Sequence, residues 1–185
     1  MQTILVGTTK GAFLVDGDSG EVRGPFCDGW PINHVISDGD VIWAAGGNPF
    51  CGCGVFRSDD NGESWTRAQF SNGQIDEWAG NDPDAAAMFD WTPRDPQFAD
   101  RVEAVWSLHH AHGRLYAGTK PANLYVSEDG GKTWAENDAL ANFEGREDWN
   151  PGAAGLILHT LVTDPGEPKR LWLGVSAAGV FATED

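Results

Sequence analysis

One eight-residue pattern recurs along the chain and constrains its fold more than any other feature. It reads Ser/Thr-x-Asp-x-Gly-x-Ser/Thr-Trp at residues 58–65 and again at 127–134, and a third copy opens at Thr183 and reaches Asp185. Each copy follows an aromatic-apolar pair that is typical of a strand, such as Val55-Phe56 before the first copy. The pattern therefore marks the same point in a longer structural repeat.

The residues of the pattern predict a hairpin turn that is stabilised by its own side chains. The glycine tolerates a backbone conformation that other residues resist, and the aspartate can accept hydrogen bonds from backbone N–H groups inside the turn. We expect the tryptophan, with its large apolar surface, to be buried between neighbouring repeats. The residues to which we assign structural roles are Ser58, Asp60, Gly62, Trp65, Ser127, Asp129, Gly131, Trp134 and Asp185.

The composition favours an all-β repeat protein, because the 185 residues include 24 glycines, 10 prolines and 9 tryptophans and few long helical stretches. The net charge of −16 argues against nucleic acid and anionic membrane as partners, since both repel an acidic surface. No stretch is long and apolar enough to cross a membrane, and no secretory signal is visible at the N-terminus. These features predict a cytoplasmic protein.

The three cysteines, Cys27, Cys51 and Cys53, are interpreted as free thiols in a reducing compartment. The Cys51-Gly52-Cys53 spacing could ligate a metal, but no further ligands accompany it at a suitable spacing. His110 and His112 would share one side of a strand, which suits a metal, yet they lie near the turn opposite the long loops. We therefore predict neither a metal nor another cofactor.

The eight-residue pattern resembles the Asp-box, or BNR repeat, of sialidase-like β-propellers. The stretches 5–11, 147–159 and 174–181 extend this resemblance to a bacterial family of sialidase-related BNR-repeat propellers. Its members are commonly labelled glycosyl hydrolase, exo-α-sialidase or WD40/YVTN/BNR-like repeat protein. The resemblance covers nearly the whole chain apart from an acidic stretch at 72–100, and it implies an all-β propeller built from four-stranded antiparallel blades.

The spacing of the repeats predicts about three and a half blades, which would form an incomplete ring. The expected blades lie at about 2–24, 31–69, 102–136 and 155–185. Because the first blade lacks its inner strand and the last lacks its outer strand, we expect this chain to be the N-terminal half of a longer protein. Unpaired strand edges and exposed apolar faces would make it marginally stable or self-associating.

The strand order assigns the two longest irregular stretches to one face. In an up-and-down blade, the loops that follow the second and fourth strands lie opposite the Asp-box turns. An insertion loop at 70–101 and a loop at 137–154 both belong to this set. Long loops on a rigid scaffold often carry function, and in sialidase-like propellers the ligand pocket also lies away from the Asp-boxes. This face is therefore the predicted functional face.

Carboxylates and tryptophans near this face predict carbohydrate binding, because indoles stack on sugar rings and carboxylates bind hydroxyl groups. Glycosidases generally need two carboxyl groups ~5–10 Å apart. The candidate catalytic residues are Glu103, Glu147 and Asp148, and the candidate substrate-binding residues are Trp149, Arg146, His159, His34 and Trp91. The alternative interpretation is that the carboxylates cap loops or face solvent and that the histidines are neutral and hydrogen-bonded.

The chain also departs from true sialidases, which use a tyrosine nucleophile, a carboxylic acid/base and three arginines that hold the substrate carboxylate. Their N-terminal blade carries an Arg-Ile-Pro motif, which is missing here, and both tyrosines, Tyr116 and Tyr125, fall at strand-packing positions. We therefore expect no sialidase activity. Two hypotheses stay open: a glycosyl hydrolase that acts on neutral sugars, and a non-catalytic propeller that binds carbohydrate or a protein partner.

Overall fold

The computed structural model describes residues 2–99 and 101–184, so Asp185, the last residue of the third Asp-box, lies outside the described residues. The chain divides into two compact units, unit 1 (Met1–Ala104) and unit 2 (Val105–Asp185). Within the described ranges, no helix has both the length and the apolar character needed to span a bilayer.

Unit 1 contains two antiparallel sheets. The first sheet consists of β1 (Thr3–Thr8), β2 (Gly11–Asp16) and β3 (Val22–Phe26). The second consists of β4 (Ile32–Asp38), β5 (Val41–Asn48), β6 (Gly52–Ser58) and β7 (Thr66–Ser71). Two helices follow β7, namely α1 (Gln74–Asn81) and α2 (Pro83–Met88).

Unit 2 repeats this arrangement with its own two antiparallel sheets. One sheet consists of β8, which begins at the unit boundary (Ala104–Ala111), β9 (Arg114–Lys120), β10 (Leu124–Ser127) and β11 (Ala135–Glu136). The other consists of β12 (Leu158–Thr163), β13 (Leu171–Val175) and β14 (Gly179–Thr183). The connection between the two sheets carries α3 (Asp138–Ala141) and one 3₁₀ turn (Arg146–Asp148).

In every sheet the strands pair with their neighbours in chain order, as in the blades of a propeller. The predicted all-β class, with sheets of up to four antiparallel strands, is confirmed. Apolar side chains between the two sheets form the core of each unit, around Ala12, Ile32, Ala44 and Phe56 in unit 1. The corresponding core in unit 2 includes Tyr116, Leu124, Leu158, Leu161, Leu171 and Leu173.

The stretch 70–101 is more regular than the predicted insertion loop, because β7 extends into it and two helices follow. The carboxylate of Asp82 accepts the backbone N–H groups of Asp84 and Ala85 at 2.9 and 3.3 Å and so caps α2. Pro83 occupies the first turn of that helix, where its missing N–H costs nothing.

The two complete Asp-boxes have the same hydrogen-bond network. In the first box, the N–H of Gly62 donates to Ser58 Oγ at 2.8 Å, while Ser64 donates its N–H and O–H to the Asp60 carboxylate at 2.8 and 2.6 Å. The indole N–H of Trp65 donates to the carbonyl of Gly62 at 3.1 Å. The second box repeats these bonds at Ser127, Asp129, Gly131, Thr133 and Trp134.

The backbone of each box takes the left-handed conformation at its glycine, with φ +91° at Gly62 and +96° at Gly131. A side chain there would be strained, and a Cβ at Gly62 would also lie 2.7 Å from a methyl group of Leu14. Trp134 is buried, whereas Trp65 is only half-buried. The expected burial therefore holds in full for Trp134 alone.

Candidate functional site

A cavity of about 330 Å³ lies in unit 1, and we call it the loop-face cavity. Its walls come from the β3–β4 connection, the β5–β6 turn, β7 and the segment that follows β7. These connections belong to the set that the strand order assigns to the predicted functional face. The side chains that define the cavity are Trp30, Phe50, Arg67, Asp76, Phe89 and Trp91.

Asp76 fixes the position of Trp91 in the wall of this cavity. One carboxylate oxygen of Asp76 accepts the indole N–H of Trp91 at 2.9 Å. The other accepts the backbone N–H of Gly73 at 2.9 Å and the side-chain amide of Gln69 at 3.4 Å. Because both oxygens of this buried carboxylate are engaged, Asp76 is a positioning residue that ties the start of α1 to Trp91.

Arg67 lines the cavity and has an incompletely satisfied guanidinium group. Its central carbon lies 4.2 Å from the ring centroid of Trp30 and 5.5 Å from that of Phe56. Its Nη2 atom is buried and, among the described residues, has no hydrogen-bond partner. The two rings stabilise the cation, but they provide no strong acceptor for a group that carries five N–H donors. The cavity wall therefore combines aromatic rings with a cation.

Of the predicted substrate-binding residues in unit 1, Trp91 lines the loop-face cavity and His34 is exposed outside its lining; the predicted catalytic residue Glu103 is also exposed outside it. Sequence reasoning missed Trp30 and Arg67. Arg67 follows the Asp-box tryptophan by two positions, where the repeat predicts a strand. The alternation of side chains along a strand could have indicated its face, because the side chain of Arg67 points to the same side of the sheet as those two positions away.

In unit 2, Arg146 and Trp149 pack within the predicted loop 137–154. The guanidinium of Arg146 donates to the carbonyls of Leu140, at 3.1 Å, and of Ala122 in the β9–β10 turn. It also lies 4.9 Å from the ring centroid of Trp149, whose ring is 4.9 Å from that of Phe181. These contacts give both residues a structural role, and a sugar-binding role for them stays a prediction.

The remaining predicted residues of unit 2 lie at its surface. Glu147 and Asp148 are exposed in the 3₁₀ turn that contains Arg146. His159 is exposed on β12, and its Nδ1 atom is 2.7 Å from Thr160 Oγ1. Exposed carboxylates can reach a substrate, but nothing in their contacts identifies an acid/base pair. Their catalytic roles stay predictions.

The three cysteines are free thiols. Burial raises the pKa of Cys27 to about 12 and that of Cys53 to about 11. Cys51 borders the loop-face cavity and donates to the carbonyl of Gly29 at 3.4 Å; burial and the nearby Asp76 carboxylate raise its pKa as well. Across residues 2–99 and 101–184, no three His, Cys, Asp or Glu side chains cluster as metal ligands would. The thiols are therefore protonated at neutral pH.

A second cavity, of about 380 Å³, lies between the two sheets of unit 2, and we call it the intersheet cavity. None of the residues predicted to bind or cleave a substrate lines it. Its walls are mainly apolar, and the charged groups at its edge include Arg114, whose guanidinium is 3.0 Å from a carboxylate oxygen of Glu128.

Comparisons with known proteins identify the repeats and the fold. The model of the BNR/Asp-box repeat matches residues 56–67 and 125–136, and no curated protein matches the sequence. The GH74 xyloglucanase from Xanthomonas campestris superposes with a TM-score of 0.64 at 19% identity, over 99% of this chain and 27% of that one. A GH74 enzyme from Niastella koreensis gives 0.59 at 16% identity, over 99% of this chain and 26% of that one.

An ancestral GH74 enzyme gives a TM-score of 0.56 at 17% identity, over 94% of this chain and 20% of that one. This chain thus spans between 20% and 27% of the length of these enzymes. At such identities the likeness shows the fold alone. The chain is therefore a BNR-repeat β-propeller chain that resembles part of the GH74 propellers.

Proposed function

We propose that this chain is a carbohydrate-recognising propeller module and that a sugar ring binds in the loop-face cavity of unit 1. The observation that carries the proposal is the composition of the cavity wall, which combines the indoles of Trp30 and Trp91 with the guanidinium of Arg67. Indole faces pack against the apolar faces of sugar rings, and a guanidinium in the cavity wall is a hydrogen-bond donor group for sugar hydroxyls. A volume of about 330 Å³ is within the range of small-molecule sites.

The charges around the cavity favour a neutral sugar. Its lining contains two carboxylates, Asp28 and Asp76, and two guanidinium groups, Arg67 and Arg94. These charges balance, so the cavity offers no net attraction for a charged ligand. The net charge of −16 on the whole chain further disfavours anions. A neutral oligosaccharide is therefore the ligand class that this site suits.

The first ligand to test is a xyloglucan oligosaccharide, because one of the enzymes with the same fold is a xyloglucanase. Because the likeness covers only 27% of that enzyme, we use it only to choose the test ligand. The argument that the ligand is a sugar rests on the residues of the cavity. Cellobiose and maltose, which lack xylose branches, serve as further neutral probes.

Glycoside hydrolysis is a more specific hypothesis than carbohydrate binding, because it requires catalytic groups in addition to a binding site. In the loop-face cavity the Asp76 carboxylate is occupied by donors from Trp91, Gly73 and Gln69, which makes it a poor general acid or base. The cavity by itself therefore supports binding. Hydrolysis would need the predicted acids Glu103, Glu147 or Asp148, and their roles await an activity assay.

Isothermal titration calorimetry tests the carbohydrate proposal. We expect the wild-type chain to bind at least one neutral oligosaccharide and Trp91→Ala to weaken that binding about tenfold, or ~1.4 kcal/mol. Trp172→Ala, which removes a partly exposed indole from β13 in unit 2, is the matched control and should leave the affinity unchanged. Absence of binding to every neutral sugar, or an equal loss in both variants, would contradict the proposal.

A second candidate function is protein binding through one face of the β12–β14 sheet. Val162 pairs directly with Trp172, and Trp172 pairs with Ala182, two residues after Val180. The side chains of Val162, Trp172 and Val180 therefore share a face, and they are 48%, 36% and 77% exposed. Such an apolar row marks a contact surface, and a second copy of the chain is the first partner to test. Analytical ultracentrifugation should show association that Val180→Glu removes and that Val22→Glu, on β3 in unit 1, retains.

A further inference from the structure

The position of the Trp65 side chain in unit 1 can be compared with the position of the intersheet cavity in unit 2. The indole of Trp65 packs against the core residues between the two sheets of that unit. Its ring centroid is 5.9 Å from that of Phe26, which lies on β3 of the first sheet. Trp65 itself leads into β7 of the second sheet. In unit 1, the Asp-box tryptophan therefore lies between its own sheet and the preceding one.

The strand register shows which part of unit 2 corresponds to this place. Ser58 opens the first Asp-box and pairs with Ile42, at the start of the preceding strand. Thr183 opens the third Asp-box and pairs with Leu171, also at the start of the preceding strand. Phe56 and Phe181 each stand two residues before the box. Phe56 belongs to the core on which Trp65 packs, and Phe181 lines the intersheet cavity.

The walls of the intersheet cavity are suited to an aromatic ring. Tyr116, Leu124 and Val126 face it from one sheet, and Leu173 and Phe181 face it from the other. Phe143 closes one end, with its ring edge-on to Phe181 at a centroid distance of 5.2 Å. Aromatic rings gain stability from offset and edge-to-face contacts beyond the area that they bury. The cavity volume of about 380 Å³ is within the range of small-molecule sites.

We infer that the intersheet cavity is a binding site for an indole ring. The cavity lies between the two sheets of unit 2, and the side chain of Trp65 lies between the two sheets of unit 1. The walls of the cavity are apolar and partly aromatic. The site is separate from the loop-face cavity and does not depend on the carbohydrate proposal.

Titration of the chain with free indole tests the site directly. We expect indole to raise the thermal midpoint by about 2–4 °C, and cyclohexanol, an aliphatic ring, to have a smaller effect at the same concentration. Phe143→Ala should weaken indole binding about tenfold, since it removes one aromatic wall. Trp78→Ala removes a similarly exposed aromatic ring from α1, outside the lining of both cavities, and should leave indole binding unchanged. No binding of indole, or the same loss in both variants, would overturn the inference.

A tethered ring provides a second test that leaves every existing residue in place. A copy of residues 130–136, which contains the tryptophan of the second Asp-box, is appended after the last residue. The matched extension carries alanine instead of that tryptophan. We expect the tryptophan extension to raise the thermal midpoint and to prevent indole binding, and the alanine extension to do neither. Equal midpoints and equal indole binding for the two extended chains would overturn the inference.

Discussion

At the scale of single residues, the Asp-box carboxylates make the stability of the fold depend on pH in the acidic range. Hydrogen bonds from the hydroxyl and N–H of Ser64 lower the pKa of Asp60 from 3.8 to about 2. The corresponding bonds from Thr133 also lower the pKa of Asp129. A carboxyl group with a lower pKa in the folded state stabilises the fold above its unfolded pKa, and this contribution is lost as the pH falls through the folded pKa. We therefore expect the thermal midpoint to fall between pH 3.8 and about 2.

Thermal unfolding of Asp60→Asn at several pH values separates this effect from general acid denaturation. At neutral pH the variant should melt below wild type, because an amide cannot replace both accepting oxygens of the carboxylate. The difference should shrink near pH 2, where the wild-type group is also becoming neutral. Asp40→Asn, at an exposed residue of the β4–β5 turn, is the control. A difference that stays constant from pH 7 to 2 would contradict the assignment.

The two Asp-box tryptophans differ in burial, so their removal should have different costs. Trp134 is 8% exposed, and Trp134→Ala should lower the free energy of unfolding by about 3–5 kcal/mol. Trp65 is half-buried and keeps solvent on part of its ring, so Trp65→Ala should cost less. Urea denaturation of the two variants measures both values. A larger loss for Trp65→Ala would show that the box tryptophans do not stabilise the fold through burial.

The sequence predicts the residues of the Asp-box well because each acts within its own turn. Asp60 finds its donors two to four residues away, so spacing alone determines the contact. Arg67 shows the limit of this reasoning: Phe56 is its neighbour across the β6–β7 hairpin, but Trp30 comes from the β3–β4 connection. The pairing of a strand arginine with an indole from another connection depends on tertiary packing, which no local pattern encodes.

At the scale of elements, the repeat predicts strands better than it predicts inserted helices. The strands recur in every sheet and can be aligned with one another, whereas the connection after β7 carries the two helices α1 and α2 and the connection after β11 carries only the four-residue α3 and a 3₁₀ turn. A local signal was nevertheless present, since Asp82-Pro83 is a typical helix start. The loop-face cavity could not be predicted as a whole, because α1, Trp91 and the β3–β4 connection meet only in the folded unit.

The long connection of unit 2 depends on Arg146, which joins it to the β9–β10 turn. Arg146→Ala should speed amide hydrogen exchange across residues 137–157, because two carbonyls and the ring of Trp149 lose their cationic partner. Arg146→Lys should rescue this only partly, since an ammonium lacks the planar fork of donors. Lys132→Ala, at an exposed position, is the control. Unchanged exchange in Arg146→Ala would show that the connection is held by other contacts.

At the scale of the whole molecule, charge and tyrosine burial both argue against the cleavage of sialosides. The chain carries a net charge of −16, which repels the carboxylate of a sialic acid. Its two tyrosines, Tyr116 and Tyr125, are 5% and 1% exposed within their strands, so neither hydroxyl is placed to attack a sugar. The Arg-Ile-Pro motif that true sialidases carry in their first blade is also missing from the sequence.

We therefore expect no turnover of a fluorogenic sialoside, assayed beside a panel of neutral glycosides. A covalent mechanism of the sialidase kind needs an accessible tyrosine nucleophile, and both Tyr116 and Tyr125 are buried. Hydrolysis of a neutral glycoside that disappears in Glu147→Gln or Asp148→Asn would establish the predicted acids as catalytic. Turnover of the sialoside that disappears in either variant would contradict the expectation, because a carboxylate would then replace the tyrosine chemistry of sialidases. Binding of a neutral sugar without turnover of any substrate would favour carbohydrate recognition, without hydrolysis, as the function of the chain.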